Sequence, residues 1–290
     1  MKKKKIFQIF IFLIIIVLLI VLVSSLFGSG KEFTIVVLPD SQIYSESYPE
    51  IWQSQVDWII QNKNKLNIIA VLHVGDIVDD WDLLEQWETA NSKLSLLDNK
   101  VPYLVLPGNH DFDWKERDFK VYDTYFGPQR FKQYSWYREN YPEDSNRNNF
   151  AIINDLGFIS LRYGSEADEI NWANKIIQEN PDKKFIIITH DYLSEDGKSA
   201  KGKEIWESAI KENENVLIVF CGHYYSQTLT MSIGEKNQIV YEILANYQYE
   251  EKGGNGKLRY YTFSKNLIKA TTYSPYLNSY FEKFNLFYYK

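Results

Sequence analysis

The chain has 290 residues, one cysteine, 45% hydrophobic content and a formal net charge of −6. That content supports a large apolar core, and a single cysteine excludes an intrachain disulfide scaffold. The basic stripe of a nucleic-acid binder is missing, so no nucleic-acid partner is expected.

In chain order, MKKKK precedes an apolar run from Ile6 to Phe27, interrupted by Gln8, Ser24 and Ser25. About 20 apolar residues span a bilayer as a helix, against about 7–15 in the apolar part of a signal peptide. Residues 1–30 are therefore expected to form a transmembrane anchor in the cell membrane. The lysines would stay cytoplasmic and the body, residues 31–290, would lie outside as one domain. Val23 and Ser25 form a weak cleavage signal, which leaves secretion after processing as the alternative. From Phe33 onward apolar strands alternate with amphipathic helices, the pattern of an α/β fold. Helical spacing of apolar residues predicts helices over Pro49–Asn64, Trp81–Leu97, Ala167–Glu179 and Lys203–Lys211. After Thr228 four strands follow, Thr228–Ile233, Ile239–Ala245, Leu258–Phe263 and Leu267–Tyr273, read as an antiparallel section. The likeliest turn among them is Gly253-Gly254-Asn255-Gly256. The segment from Phe112 to Asn149 is polar and rich in aromatics, fitting either a wall over a site or a long surface excursion.

Five apolar runs end in a residue able to hold a metal: FTIVVLPDSQ at Asp40, IIAVLHVGD at Asp76, YLVLPGNHD at Asn109, FIIITHD at His190 and LIVFCGH at His223. Continuous apolar runs fit strands covered on both faces, and ligands of open α/β sheets bind beyond the strand ends. Carboxylate, amide and imidazole together point to a polynuclear metal site. Two metal ions about 3.5–4 Å apart can clamp the attacking and leaving oxygens of a phosphate displacement, with a carboxylate between them. Asp76 suits that bridging place because Gly75 lets the backbone turn sharply before it. Mixed nitrogen and oxygen donors favour Mn, Fe or Zn over Mg or Ca. His73 reads as a hydrogen-bonded structural residue, Asp80 and Asp82 as solvated charges, and Cys221 as a buried inert thiol.

The motifs D-x-Q (Asp40–Gln42), G-D-x-x-D (Gly75–Asp79) and G-N-H-D (Gly108–Asp111), the lone His190 and the G-H pair at His223 resemble the calcineurin-like metallophosphoesterases. Within that family LPDSQ is similar to a subgroup opening with LPD-[ST]-Q. The likeness continues through FGPQRF, SWY, YPEDSNRN, LANYQ, GGNGKLR and TYSPY, covering Phe33 to Tyr280. The resemblance implies a layered α/β/β/α sandwich and a hydrolase of phosphate monoesters, diesters or pyrophosphates, acting on a phosphorylated substrate of unknown identity. It implies a dinuclear centre of divalent or trivalent ions and a bridging hydroxide as nucleophile. By the same resemblance Asp76 would bridge the metals, Asp40 and Gln42 would hold the first, and Asn109, His190 and His223 the second. His110 would be the general acid, with Asp111 steering its ring and Asp79 orienting ligands. One departure stands out. Where the family ends in G-H-x-H this chain has Tyr225, a phenol that suits iron and binds Zn or Mn poorly. If Tyr225 fails as a ligand, the resemblance leaves a one-metal or catalytically impaired cell-surface binding protein as the alternative.

Overall fold

The computed structural model describes residues 32–113 and 115–288, so the expected anchor lies outside the described residues. Among the described residues, no helix is long and apolar enough to cross a membrane.

The strands in chain order are β1 (Phe33–Leu38), β2 (Ile68–His73), β3 (Tyr103–Leu104), β4 (Tyr137–Tyr141), β5 (Asn148–Ile153), β6 (Leu156–Leu161) and β7 (Lys184–Thr189). A two-residue pair follows, β8 (Leu193–Ser194) and β9 (Gly197–Lys198), then β10 (Val216–Cys221), β11 (Gln227–Ile233), β12 (Ile239–Ala245), β13 (Leu258–Phe263), β14 (Leu267–Ser274) and β15 (Ser279–Phe287). They build two large sheets, ordered β15-β14-β13-β1-β2-β3 and β11-β12-β10-β7-β6-β5-β4. Parallel pairing joins β1, β2 and β3 in the first sheet and β6, β7, β10 and β12 in the second. The five strand endings are thus divided between two sheets.

Alternation along the strands fills three apolar layers. Ile35, Val37, Ala70 and Leu72 point between the sheets, meeting Ile186, Ile188, Ile218, Phe220 and Ile243. Val36, Leu38 and Val71 point outward onto Trp52, Val56 and Ile59 of α2 (Pro49–Asn62) and Trp87 and Ala90 of α3 (Leu84–Leu94); α1 is the short helix Gln42–Glu46. On the far side, Ile159, Ile187 and Val219 meet Ile170, Ala173 and Ile177. Each fully buried aliphatic side chain of this kind is worth about 1.5–3 kcal/mol. Both faces being covered explains why β1, β2, β7 and β10 read as unbroken apolar runs.

Several sequence expectations need correction. The first two helices end or begin short of their expected bounds: Pro49–Asn62 stops two residues before Asn64, and Leu84–Leu94 follows a loop and passes into a 3₁₀ turn at Ser95–Leu97. The Phe112–Asn149 segment folds into α4 (Lys120–Phe126), α5 (Pro128–Phe131) and β4, placing Tyr122, Phe126, Phe131 and Tyr137 in the core beside Trp87. The Ala167–Glu179 helix, α6, has the expected bounds, and a reciprocal Glu166–Glu169 capping box marks its start. The next helix, α7 (Ala200–Ile205), begins at the Ser199 cap and loosens into a wider turn over Trp206–Ile210. The strands after Thr228 do not form one antiparallel section. β12 continues the second sheet in parallel, whereas β13 crosses to pair antiparallel with β1. That crossing uses a run of left-handed residues from Lys252 to Gly256, so the Gly253–Gly256 segment is a crossover and no hairpin.

All the parallel strands of both sheets run toward one end of the molecule. At the opposite end, where β1 begins, Ile233, Ile239 and Phe287 remain exposed.

Candidate metal centre

Just beyond Leu38, Asp40 turns into the seam between the two sheets. Its Oδ2 accepts hydrogen bonds from the His223 backbone N–H at 3.0 Å and the Asn246 amide at 2.6 Å. Its Oδ1 is buried with no partner. Gln42 repeats the pattern: its amide nitrogen donates to Asp79 Oδ1 at 3.3 Å, leaving a buried, unpartnered Oε1.

Asp76 sits in left-handed backbone, φ +52°, directly after Gly75 at φ +101°. Any Cβ at position 75 would fall 2.6 Å from His190 Nδ1, so only glycine lets the turn close onto that ring. The Asp76 carbonyl accepts from Ser41 N–H at 2.9 Å, tying the β1 and β2 loops together. Its Oδ1 accepts from His110 N–H at 3.1 Å, and its Oδ2 lies 3.1 Å from His190 Nε2. Asn109 Oδ1 approaches the same Nε2 at 3.2 Å. His190 Nδ1 donates to the Val74 carbonyl at 2.7 Å, which fixes the tautomer and leaves Nε2 as the ligand nitrogen. His223, also in left-handed backbone, completes a cluster in which ligand atoms of Asp76, His190 and His223 lie within 4.8 Å of one another.

The electrostatics ask for a cation. Burial pushes Asp40 up to about 7. Burial pulls His190 down, but the Asp76 carboxylate and its hydrogen bond outweigh that and carry the imidazole to about 10. Burial would raise Asp76, yet His190 holds it below the usual carboxylate range. Without other positive charge, a protonated His190 must bind these acids together. The donor chemistry fits metal better. Bare oxygens of Asp40 and Gln42 face in from one side, and Asp76, Asn109 and the imidazoles of His190 and His223 from the other. Buried acceptors without donors are costly unless a cation satisfies them.

The remaining sequence candidates separate clearly. His110 is half-buried at the cleft mouth with Asp79, Asp80, Trp81, Asp82 and Lys115. Its Nδ1 donates to the Asp79 carbonyl at 2.7 Å. Asp111 does not steer this ring, contrary to expectation. It is buried and its carboxylate accepts from the backbone N–H groups of Ile77, Val78 and Gly108 at 2.8, 2.9 and 2.7 Å, bracing the loops of Asp76 and Asn109. Asp79 takes the orienting part, holding both His110 and Gln42. Tyr225 is 51% exposed and its ring packs on Tyr249 at 3.4 Å between centroids. Hydrogen bonding to Tyr249 and partial burial push its phenol up to about 12, unfavourable for a phenolate ligand. His73 is structural as expected: Gly75 N–H donates to its Nδ1 and its Nε2 bonds Ser41 Oγ at 2.8 Å. Cys221 is buried, with burial raising its thiol far above the ordinary value. Asp80 and Asp82 are exposed.

Sequence reasoning gave no role to Asn246, which grips Asp40, or to Tyr163, whose ring lies 5.1 Å from His223 and 5.9 Å from His190. A signal for Asn246 was present. Ile239–Ala245 is another apolar run closing on polar residues, Asn246 and Gln248, at the same end of the sheet.

Residues 33–226 match the family model for calcineurin-like phosphoesterases. The chain belongs to that family. The uncharacterized protein YvnB of Bacillus subtilis (strain 168) is 36% identical over 259 residues, which are 84% of this chain and 20% of that protein. This chain thus spans about a fifth of that relative's length. A probable glycerophosphodiester phosphodiesterase GpdQ of Arcobacter nitrofigilis is 24% identical over 224 residues, covering 70% of this chain and 77% of that protein. Among solved structures, the purple acid phosphatase PPD1 of yellow lupin seeds superposes with a TM-score of 0.65 at 13% identity, over 90% of this chain and 55% of that one. GAP50 of Plasmodium, described as the anchor in the inner membrane complex, gives 0.58 at 12% identity, over 89% and 90% of the two chains. At such identities these two likenesses establish the fold alone. Membership of that family supports a metal-dependent phosphoric ester hydrolase.

Proposed function

We propose that this calcineurin-like phosphoesterase cleaves phosphate esters at a dinuclear metal centre lying in the seam between its two sheets. The observation that carries the reading is the convergence of donors from two separate sheets on one seam, with Asp40 Oδ1 and Gln42 Oε1 buried and bare. Asp40 and Gln42 would hold the first metal, Asn109, His190 and His223 would hold the second, and Asp76 would serve both. When bound, the metal ions supply Lewis acidity toward the phosphoryl oxygens and a nucleophile at neutral pH. Asp76 and Asp40 balance that positive charge, and the Val74 carbonyl keeps the His190 ring oriented. His110, held at Nδ1 by Asp79, presents Nε2 at the mouth, where it protonates the leaving alkoxide. Monoesters, diesters and pyrophosphates are all compatible with this chemistry.

The exposed Tyr225, engaged with Tyr249, favours a second reading: a one-metal protein that binds phosphorylated molecules without turning them over. One experiment separates the two. The full chain, purified in detergent and loaded with Mn, Zn or Fe, is expected to hold about two equivalents of metal and to hydrolyse aryl phosphate mono- or diesters. One equivalent and no turnover with any of the three metals would select the binder.

We further propose that residues 1–30 anchor the protein in the membrane, with the body outside the cytoplasm, on the strength of the Ile6–Phe27 run and the lysines before it. Fractionation should recover the chain with membranes, accessible to protease added from outside. Recovery from the soluble cytoplasm would sink this placement.

A further inference from the structure

The first metal position lacks the second imidazole that the sequence pattern called for, and Tyr225 is turned toward Tyr249. A different residue stands ready. Gln248 follows β12 two residues after Asn246, which donates to Asp40; the Gln248 backbone N–H in turn donates to Asn246 Oδ1 at 3.0 Å. That linkage fixes the Gln248 segment against the Asp40 side of the seam. Its side chain lies beside the Tyr225 phenol. Gln248 Oε1 is buried and has no partner.

The same device recurs three times. Asp40 is held at Oδ2 by His223 and Asn246, and Oδ1 is bare. Gln42 is held at its nitrogen by Asp79, and Oε1 is bare. Gln248 is held at its backbone N–H by Asn246, and its side-chain Oε1 is bare. A buried carbonyl oxygen with no donor is costly, so leaving several at one site calls for a compensating cation.

We propose that Gln248 Oε1 completes the first metal site, giving it an all-oxygen shell with Asp40, Gln42 and Asp76. This rests on the dinuclear reading above and adds a selectivity to it. Carboxylate and carbonyl oxygens suit hard ions such as Mn or Mg, whereas the imidazoles of His190 and His223 suit Zn or Fe. The two positions would therefore differ in metal preference.

The test is Mn titration of the metal-free full chain in detergent, by calorimetry and by the electron paramagnetic resonance signal of bound Mn. Wild type should bind two ions and show a coupled Mn pair. Gln248→Ala should weaken the first site by at least about 10–100-fold and lose the coupled signal, while its remaining ion reports an intact second site. Gln248→Glu should keep two ions, with tighter binding at the first site. Two ions bound to Gln248→Ala with unchanged affinity would overturn the assignment. Wild type binding a single Mn overturns it too. Wild type binding no metal, with His190→Ala indistinguishable from it, overturns the dinuclear reading as well.

Discussion

Asp76→Asn is expected to strip metal and turnover together. Asparagine is the informative replacement because, like aspartate, it tolerates the left-handed backbone found at position 76, so the turn after Gly75 survives. What changes is charge. Asp76 is the counter-ion of a fully buried His190 and also caps the His110 backbone N–H. Removing one member of a buried pair costs about 3–5 kcal/mol, because the other is left uncompensated. The variant should melt earlier than wild type in metal-free buffer. In the proposed dinuclear centre two cations would no longer share an anionic oxygen, so transition-state stabilisation of several kcal/mol would be forfeited, about 10³-fold or more in rate. Elemental analysis and single-substrate kinetics check both outcomes. Retention of two ions at wild-type affinity would show that Asp76 does not bridge.

His110→Ala should behave in the opposite way toward metal. The ring stands at the cleft mouth, outside the cluster formed by Asp76, His190 and His223, so both ions should stay bound. Turnover should fall about 10²–10⁴-fold, the usual contribution of a positioned acid or base. The deficit should depend on the leaving group. An alkyl ester leaves as a strongly basic alkoxide and needs the proton, while an activated aryl ester leaves readily without one. A rate loss equal for alkyl and aryl esters would refute the acid role, and loss of metal would make His110 a ligand.

The parts of this fold legible in the sequence are those in which burial is complete. β1, β2, β7 and β10 are covered on both faces, so each is an uninterrupted apolar run, and each ends where a polar side chain is required. Ala167–Glu179 is legible to the residue because Glu166 and Glu169 close its capping box. β4, β5, β6 and β15 were not predicted, although β6 is itself buried and apolar. Asn148 and Asn149 are buried through hydrogen bonds that composition does not reveal, and most of β15 is an exposed edge. The site divides in the same way. Donors at strand ends were visible, but the partners that orient them are often backbone atoms, as with Val74 and Asp79 for the two histidines. Asp111 shows the hazard of reading adjacency as contact. Next to His110 in sequence, it folds back within the Gly108 turn and spends its carboxylate on three peptide N–H groups. Tyr225 shows the converse: a position matching a ligand in pattern faces an aromatic neighbour in space.

The direction of the parallel strands has a consequence for how the protein stands. The chain enters β1 at Phe33, and every proposed metal donor lies past the far ends of the strands, about 20 Å away for a six-residue strand. Ile233, Ile239 and Phe287 are exposed at the entry end. A body tethered through its first thirty residues, as proposed, would hold its mouth at the end away from its tether. Its substrates would then be collected from the surroundings above, and molecules embedded in the supporting layer would lie beneath it, out of reach.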